Sequence, residues 1–198
     1  MSRRRLRIVE GTSRRLSTLG RMFIRLITST ILTVLALTPL PALADLGSRL
    51  RASHPHLVYL LSVGEHRSPT FRNLIGRLEE SDVIVHFESA PPEFAVDGGL
   101  QFVASTAFTR YLRVTLRTDL PAEELIALLG HELRHAVEVA ESPEVRDELS
   151  FRRFYQIRGR ATNRGRTVTY DTRAAIETGL RVAQELRLTH AWRSETAK

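Results

Sequence analysis

Apolar and polar positions change period several times after residue 50, and each change marks an element. "HLVYLLSVGEH" (56–66) is an apolar segment that ends near Gly64 and reads as a helix. In "SPTFRNLIGRLEES" (68–81), Ser68 is a cap residue and Pro69 suits the first turn. Phe71, Leu74, Ile75 and Leu78 then recur at helical spacing. From there the period drops to two. "DVIVHFES" (82–89) is β-branched and alternating. "LQFVAST" (100–106) and "YLRVTLRT" (111–118) predict two more strands, the second setting Leu112, Val114 and Leu116 against Arg113, Thr115 and Arg117. "PPEFAVDGG" (91–99) between them is a turn region. Helical spacing returns in "DLPAEELIALLGHELRHAVEVAES" (119–142), with Asp119 as the expected cap, Pro121 and two glutamates in the first turn, and a stop at Ser142-Pro143. A short helix over 143–157, a solvated loop or short hairpin over 159–169 and a last helix over 170–190 follow. Two helices, three strands and then helices predict an α+β fold, a small antiparallel sheet packed against helices.

Length and composition narrow the function. The 198 residues fit one main domain, and the absence of Cys excludes disulfides, thiolate metal sites and a cysteine nucleophile. A net charge of +7 first points to nucleic acid. Its location removes that reading. Residues 1–44 hold eight arginines and a single acid, Glu10, whereas 45–198 hold twenty-one basic and twenty-one acidic residues. The leader reads as a signal peptide: "RMFIR" is a positive start, "LITSTILTVLAL" (26–37) an apolar core, and "TPLPALA" ends in Ala42-x-Ala44. The apolar core is shorter than the roughly 20 residues a spanning helix needs. The expectation is therefore cleavage after Ala44, with Met22 as an alternative start and an uncut N-terminal anchor as the competing reading. Residues 45–198 then form a single domain with no membrane span, periplasmic or secreted, and with no nucleic-acid partner.

The chemistry concentrates in "GHELRH" (130–135). His131 and His135 are one helical turn apart and project from the same side, so two imidazoles can share one metal ion. Glu132 lies beside them, placed to activate a metal-bound water rather than to ligate. Zinc lowers the pKa of such a water to about 7, and a carboxylate can take its proton. At about 100° per residue, Leu125, Leu129, Leu133, Ala136 and Ala140 form one apolar stripe, with His131, His135 and Glu138 nearly opposite. A metal site facing a cleft fits this pattern. So does the bland alternative, in which the histidines are only the solvated face of an amphipathic helix.

The H-E-x-x-H stretch on a helix that follows a strand resembles the zincin metallopeptidases, over 111–142 most clearly. The resemblance implies a peptide-bond hydrolase with Zn2+ as cofactor, His131 and His135 as ligands and Glu132 as general base. Its peptide or protein substrate would lie along an edge strand by strand addition. The metzincin spacing is not matched, because Glu141 stands where its third histidine would be and Glu138 where its glycine would be. The gluzincin type takes its third ligand from a later helix, and "YDTRAA" (170–175) resembles that stretch with Asp171 in the acid's place. Asp171 has an ordinary alternative role as a helix N-cap. Glu138, Glu148 and Glu177 are the other candidates, although Glu138 lies about 10.5 Å along the helix from His131 and suits a bond to His135 better. Tyr170 is a candidate oxyanion donor. The remaining histidines read as surface or packing residues. Two non-enzymatic readings stand beside this one: an exported binding domain, and a zinc-binding pseudo-enzyme.

Overall fold

The computed structural model describes residues 49–90, 96–164 and 167–196, all within one compact unit spanning Ala44–Lys198. The expected leader (1–44) and most of the expected turn at 91–99 lie outside the described residues. The chain runs β1 (Leu50–Ala52), α1 (Pro55–Arg67), α2 (Pro69–Glu79), β2 (Val83–Ser89), β3 (Gly98–Ser105), β4 (Arg110–Leu116), α3 (Ala122–Ala140), α4 (Glu148–Arg158), β5 (Arg160–Arg164), β6 (Thr167–Asp171) and α5 (Arg173–Thr196). The fold is α+β, with a four-stranded sheet in the order β1-β2-β4-β3 and a separate β5–β6 hairpin.

The sheet is mixed rather than antiparallel throughout. Only the β3–β4 pair is antiparallel, while β1 runs parallel to β2 and β2 to β4. The reason is connectivity. Helices α1 and α2 carry the chain from the end of β1 back to the start of β2, a crossover that produces parallel neighbours. β3 then turns tightly into β4 and is left at the sheet edge. The three-residue β1 has too little pattern to be seen in the sequence. Val83, Val85 and Phe87 of β2 and Leu112, Val114 and Leu116 of β4 are fully buried and form one core with Leu57, Leu60, Leu61, Phe71 and Leu78 of α1 and α2. Helices α1 and α3 lie against the sheet, and α2 and α5 pack on those helices.

Local chemistry sets the helix ends. Ser68 caps α2 by accepting from Phe71 N at 3.0 Å. Asp147 and Ser150 form a reciprocal capping box that starts α4 five residues later than the apolar pattern predicts. Asp119 does not cap α3. Its carboxylate is held by Arg117 at 2.6 and 3.1 Å, and Pro121 occupies the cap position without a side-chain bond. The other end of α3 is closed by Arg110, the first residue of β4. Its guanidinium, 1 % exposed, donates to the carbonyls of Val139 (2.6 Å), Ala140 (3.1 Å) and Ser142 (2.8 Å) while its other edge grips Asp82 at 2.5 to 3.2 Å. One buried side chain therefore adds donors to carbonyls at and just past the end of α3, two of which also accept a backbone N–H, and ties that helix to the sheet.

A candidate metal centre on two elements

Helix α3 is buried nearly all round. Leu125, Leu129, Leu133 and Ala136 form the expected stripe against the core, but Glu132, His135 and Glu138 are also buried, at 4, 4 and 7 % exposure. A solvated histidine face is thereby excluded. The polar side of α3 is covered by α5 and α4, and the packing against α5 is close. A methyl at Gly130 would sit 2.8 Å from Val182 Cγ2, and one at Gly179 would sit 3.3 Å from Ala127 O and from His131 Cβ. Glycine at these two places lets the helices approach around the histidines.

Asp171 closes the centre. Helix α5 begins at Arg173, not at 170, so Tyr170 and Asp171 end strand β6 instead. The cap role belongs to Thr172, whose Oγ1 accepts from Ala175 N at 3.1 Å. Two adjacent residues could have capped this helix. The hydroxyl did so, and the Asp171 carboxylate turns to the histidines. His131 Nε2 lies 3.2 Å from Asp171 Oδ1 and 3.2 Å from His135 Nε2, and His135 Nε2 lies 3.9 Å from the same carboxylate oxygen. His131, His135 and Asp171 thus form a group that could hold a metal ion, their donor atoms all within 4.8 Å of one another.

The surrounding residues orient these donors. His135 Nδ1 contacts Glu138 Oε2 at 3.1 Å, which aims Nε2 at the shared point. Glu138 in turn accepts from Thr172 Oγ1 at 2.7 Å and lies 3.7 Å from Arg134 Nε. Tyr155 of α4 donates to the His135 carbonyl at 2.9 Å and packs edge-on against its ring. Sequence reading misses Tyr155 and Thr172. The only prior signal for Thr172 is that a threonine before a helical run is a good cap.

Electrostatics favour positive charge at the centre. Burial opposes a charged His135, yet its bonds to Asp171 and Glu138 outweigh burial and raise it to about 9. Hydrogen bonds from His131 and His135 hold Asp171 far below the usual carboxylate range. Glu138 is lowered as well, the bonds from His135 and Thr172 overcoming its burial. Glu132 is the exception. Burial raises it, and its Oε2 has no hydrogen-bond partner among the described residues. Its Oε1 lies 3.1 Å from where a methyl on Gly98 would stand, so the first residue of β3 abuts this carboxylate.

The other candidates stay apart from the group. Glu148 pairs with Arg152 at 2.8 Å and Glu177 with Arg173 at 2.6 Å, both on exposed helix surface. Glu138 braces His135 from behind. Tyr170 packs against the core beside Gly159, and strand alternation sends it to the opposite face from Asp171. His54, His56 and His66 are exposed and His86 is half-buried, away from the group. No helix among the described residues is long and apolar enough to cross a membrane. No protein-family model, no curated protein and no solved structure matches the chain.

Proposed function

We propose that the chain is an exported zinc-dependent metallopeptidase of the zincin type, acting on peptide bonds in the periplasm or outside the cell. The observation that carries this reading is the convergence of two imidazole nitrogens and one carboxylate oxygen beside a buried carboxylate with an unpartnered oxygen. Four tetrahedral ligands at about 2.0–2.2 Å from zinc stand about 3.3–3.6 Å apart. The three donor pairs here, at 3.2, 3.2 and 3.9 Å, straddle that spacing. Three protein ligands leave the fourth position for water or substrate, as catalytic zinc requires. The donor set is nitrogen and oxygen only, which suits zinc in a chain without cysteine.

Zinc held there would supply Lewis acidity that makes water a nucleophile near neutral pH. The chain's own residues do the rest. Glu132 would take a proton from the attacking water, and the burial that raises its pKa would strengthen it as a base. Glu138 and Tyr155 keep the His135 ring from turning. Strand β3 is the substrate rail. It lies at the sheet edge with no charge and no proline in "GGLQFVAS" (98–105), so nothing in it guards the free edge against another strand. A peptide added there lies beside Glu132, which touches the start of β3 at Gly98.

The test is zinc content and hydrolysis measured together. Wild type should hold about one zinc per chain, as the three-ligand site requires. His131→Ala should hold none, and Glu132→Gln should keep the metal while losing hydrolysis of a mixed peptide library. A Glu132→Gln variant as active as wild type would refute the peptidase reading. Zinc without turnover in wild type would leave a zinc-binding pseudo-enzyme, and no zinc in any form would leave a binding domain.

A further inference from the structure

We infer that α4 and the β5–β6 hairpin form a basic limb that docks acidic segments of the polypeptide substrate. This inference rests on the peptidase reading for its substrate, while the surface stands on charge and position alone. Residues 45–198 balance to zero, yet the balance hides a separation. Residues 152–166 contain six arginines (152, 153, 158, 160, 164 and 166) and no acid. The remaining 139 residues of that span therefore carry six more acids than bases.

Four of these arginines turn their charge outward. Arg152, Arg153, Arg158 and Arg160 are all exposed. Elsewhere arginines are largely spent on internal partners: Arg67 on Glu123, Arg110 on Asp82, Arg113 on Glu88 and Arg117 on Asp97 and Asp119. On the limb, Arg152 pairs with Glu148, and Arg158 stacks over the Phe154 ring at 4.5 Å. Arg153 and Arg160 have no ion pair among the described residues. Between these cations stand Leu149 and Ile157, 77 and 73 % exposed. The surface suits a partner that brings carboxylates interspersed with apolar side chains.

Position selects a polypeptide over other polyanions. Helix α4 packs against the edge strand β3, with Phe151 against Phe102 at 6.1 Å, and also against β5 and β6. The limb therefore reaches from the proposed substrate rail to the strand that ends in Asp171. A chain lying on β3 passes this surface on its way across the metal group, so acidic residues flanking the cleaved bond would meet the arginines. Electrostatic complementarity of this kind acts through encounter rate and salt dependence.

The test uses the full chain carrying Glu132→Gln, so that no peptide is consumed, and follows the anisotropy of fluorescein-labelled deca-glutamate. Deca-lysine and phosphatidylglycerol vesicles serve as comparison probes. Deca-glutamate should bind, weakening as salt rises, while deca-lysine does not. Arg152→Gln/Arg153→Gln/Arg160→Gln should weaken binding about tenfold or more, with thermal midpoint and zinc content unchanged. Replacing the same three arginines by lysine should retain most of the affinity. Equal affinity in the glutamine variant and the parent, or no binding at low salt, overturns the proposal. So does limb-dependent binding confined to the vesicles. Zinc content of the same samples separates the two ideas: limb-dependent binding by a chain that never holds zinc overturns the peptidase reading alone.

Discussion

Arg110 offers the sharpest test of how the fold supports its centre. Arg110→Met keeps much of the aliphatic volume and removes every donor. The carbonyls of Val139, Ala140, Ser142 and Val145 lose a buried partner at 2.6 to 3.3 Å, although Val139 and Ser142 each keep a backbone donor at 3.0 Å. Asp82 loses its bidentate grip but keeps Arg146 at 3.4 Å and some solvent, so its charge is not stranded. Breaking a fully buried ion pair costs about 3–5 kcal/mol, and leaving a buried hydrogen-bond partner unsatisfied about 1–3 kcal/mol. With Asp82 still partnered, the lower part of that range applies, about 3 kcal/mol. For a domain of this size that is roughly 6–12 °C in thermal midpoint. Equilibrium urea unfolding and a thermal scan, both without added metal, measure it. Acid dependence adds a second readout. Burial would raise Asp82, but the hydrogen bond and charge of Arg110 outweigh it and leave the folded pKa below the ordinary value. A depressed carboxylate stabilises the fold above its unfolded pKa, near 4, and that contribution fades as pH falls through the folded value. Wild type should therefore lose stability more steeply than Arg110→Met below about pH 4. A loss under about 1 kcal/mol, with parallel acid profiles, would refute the idea that this guanidinium clamps α3.

Other substitutions test the centre and its packing. Gly130→Ala places a methyl 2.8 Å from Val182 Cγ2. Overpacking of about 1–3 kcal/mol should exceed the helix gain of about 1 kcal/mol, and calorimetry should show a lower midpoint. Glu138→Gln keeps the shape but weakens the brace on His135 Nδ1, so zinc affinity measured against a chromogenic chelator should fall about 10- to 100-fold. Thr172→Val removes the α5 cap and the bond to Glu138, and should cost about 1 kcal/mol in urea unfolding, with Thr172→Ser restoring it. Gly98→Ala crowds Glu132 Oε1 at 3.1 Å, and kcat/KM should drop while zinc content holds.

Much of this fold is legible in the sequence, because period and punctuation agree. The alternation in β4 and the helical spacing in α2 leave little choice, and Leu112, Val114, Phe71 and Leu78 are all fully buried. Sheet direction was not legible, since parallel and antiparallel neighbours share the same alternation and only the crossover separates them. The cap positions were ambiguous where two good residues stood together. Asp119 and Asp171 both looked like caps, but Arg117 took the first and the histidines the second. The histidine pair was visible because helical geometry makes its spacing meaningful. Tyr155, Gly98 and Thr172 were not, because their parts depend on long-range packing that no local pattern encodes.

The separation along the chain between the donors bears on how the protein assembles. His131 and Asp171 are 40 residues apart, and Glu138 and Thr172 are 34 apart. Both links close one large loop containing α4 and the hairpin. Loop closure sets back early formation of such contacts, since chain entropy is lost before any contact repays it. The histidine pair alone, on a single helix, forms with local structure and can grip an ion only in part. The full donor set appears only when β6 and the start of α5 have docked on α3. A group able to hold an ion with all three donors is therefore complete only once the 40-residue loop between His131 and Asp171 has closed.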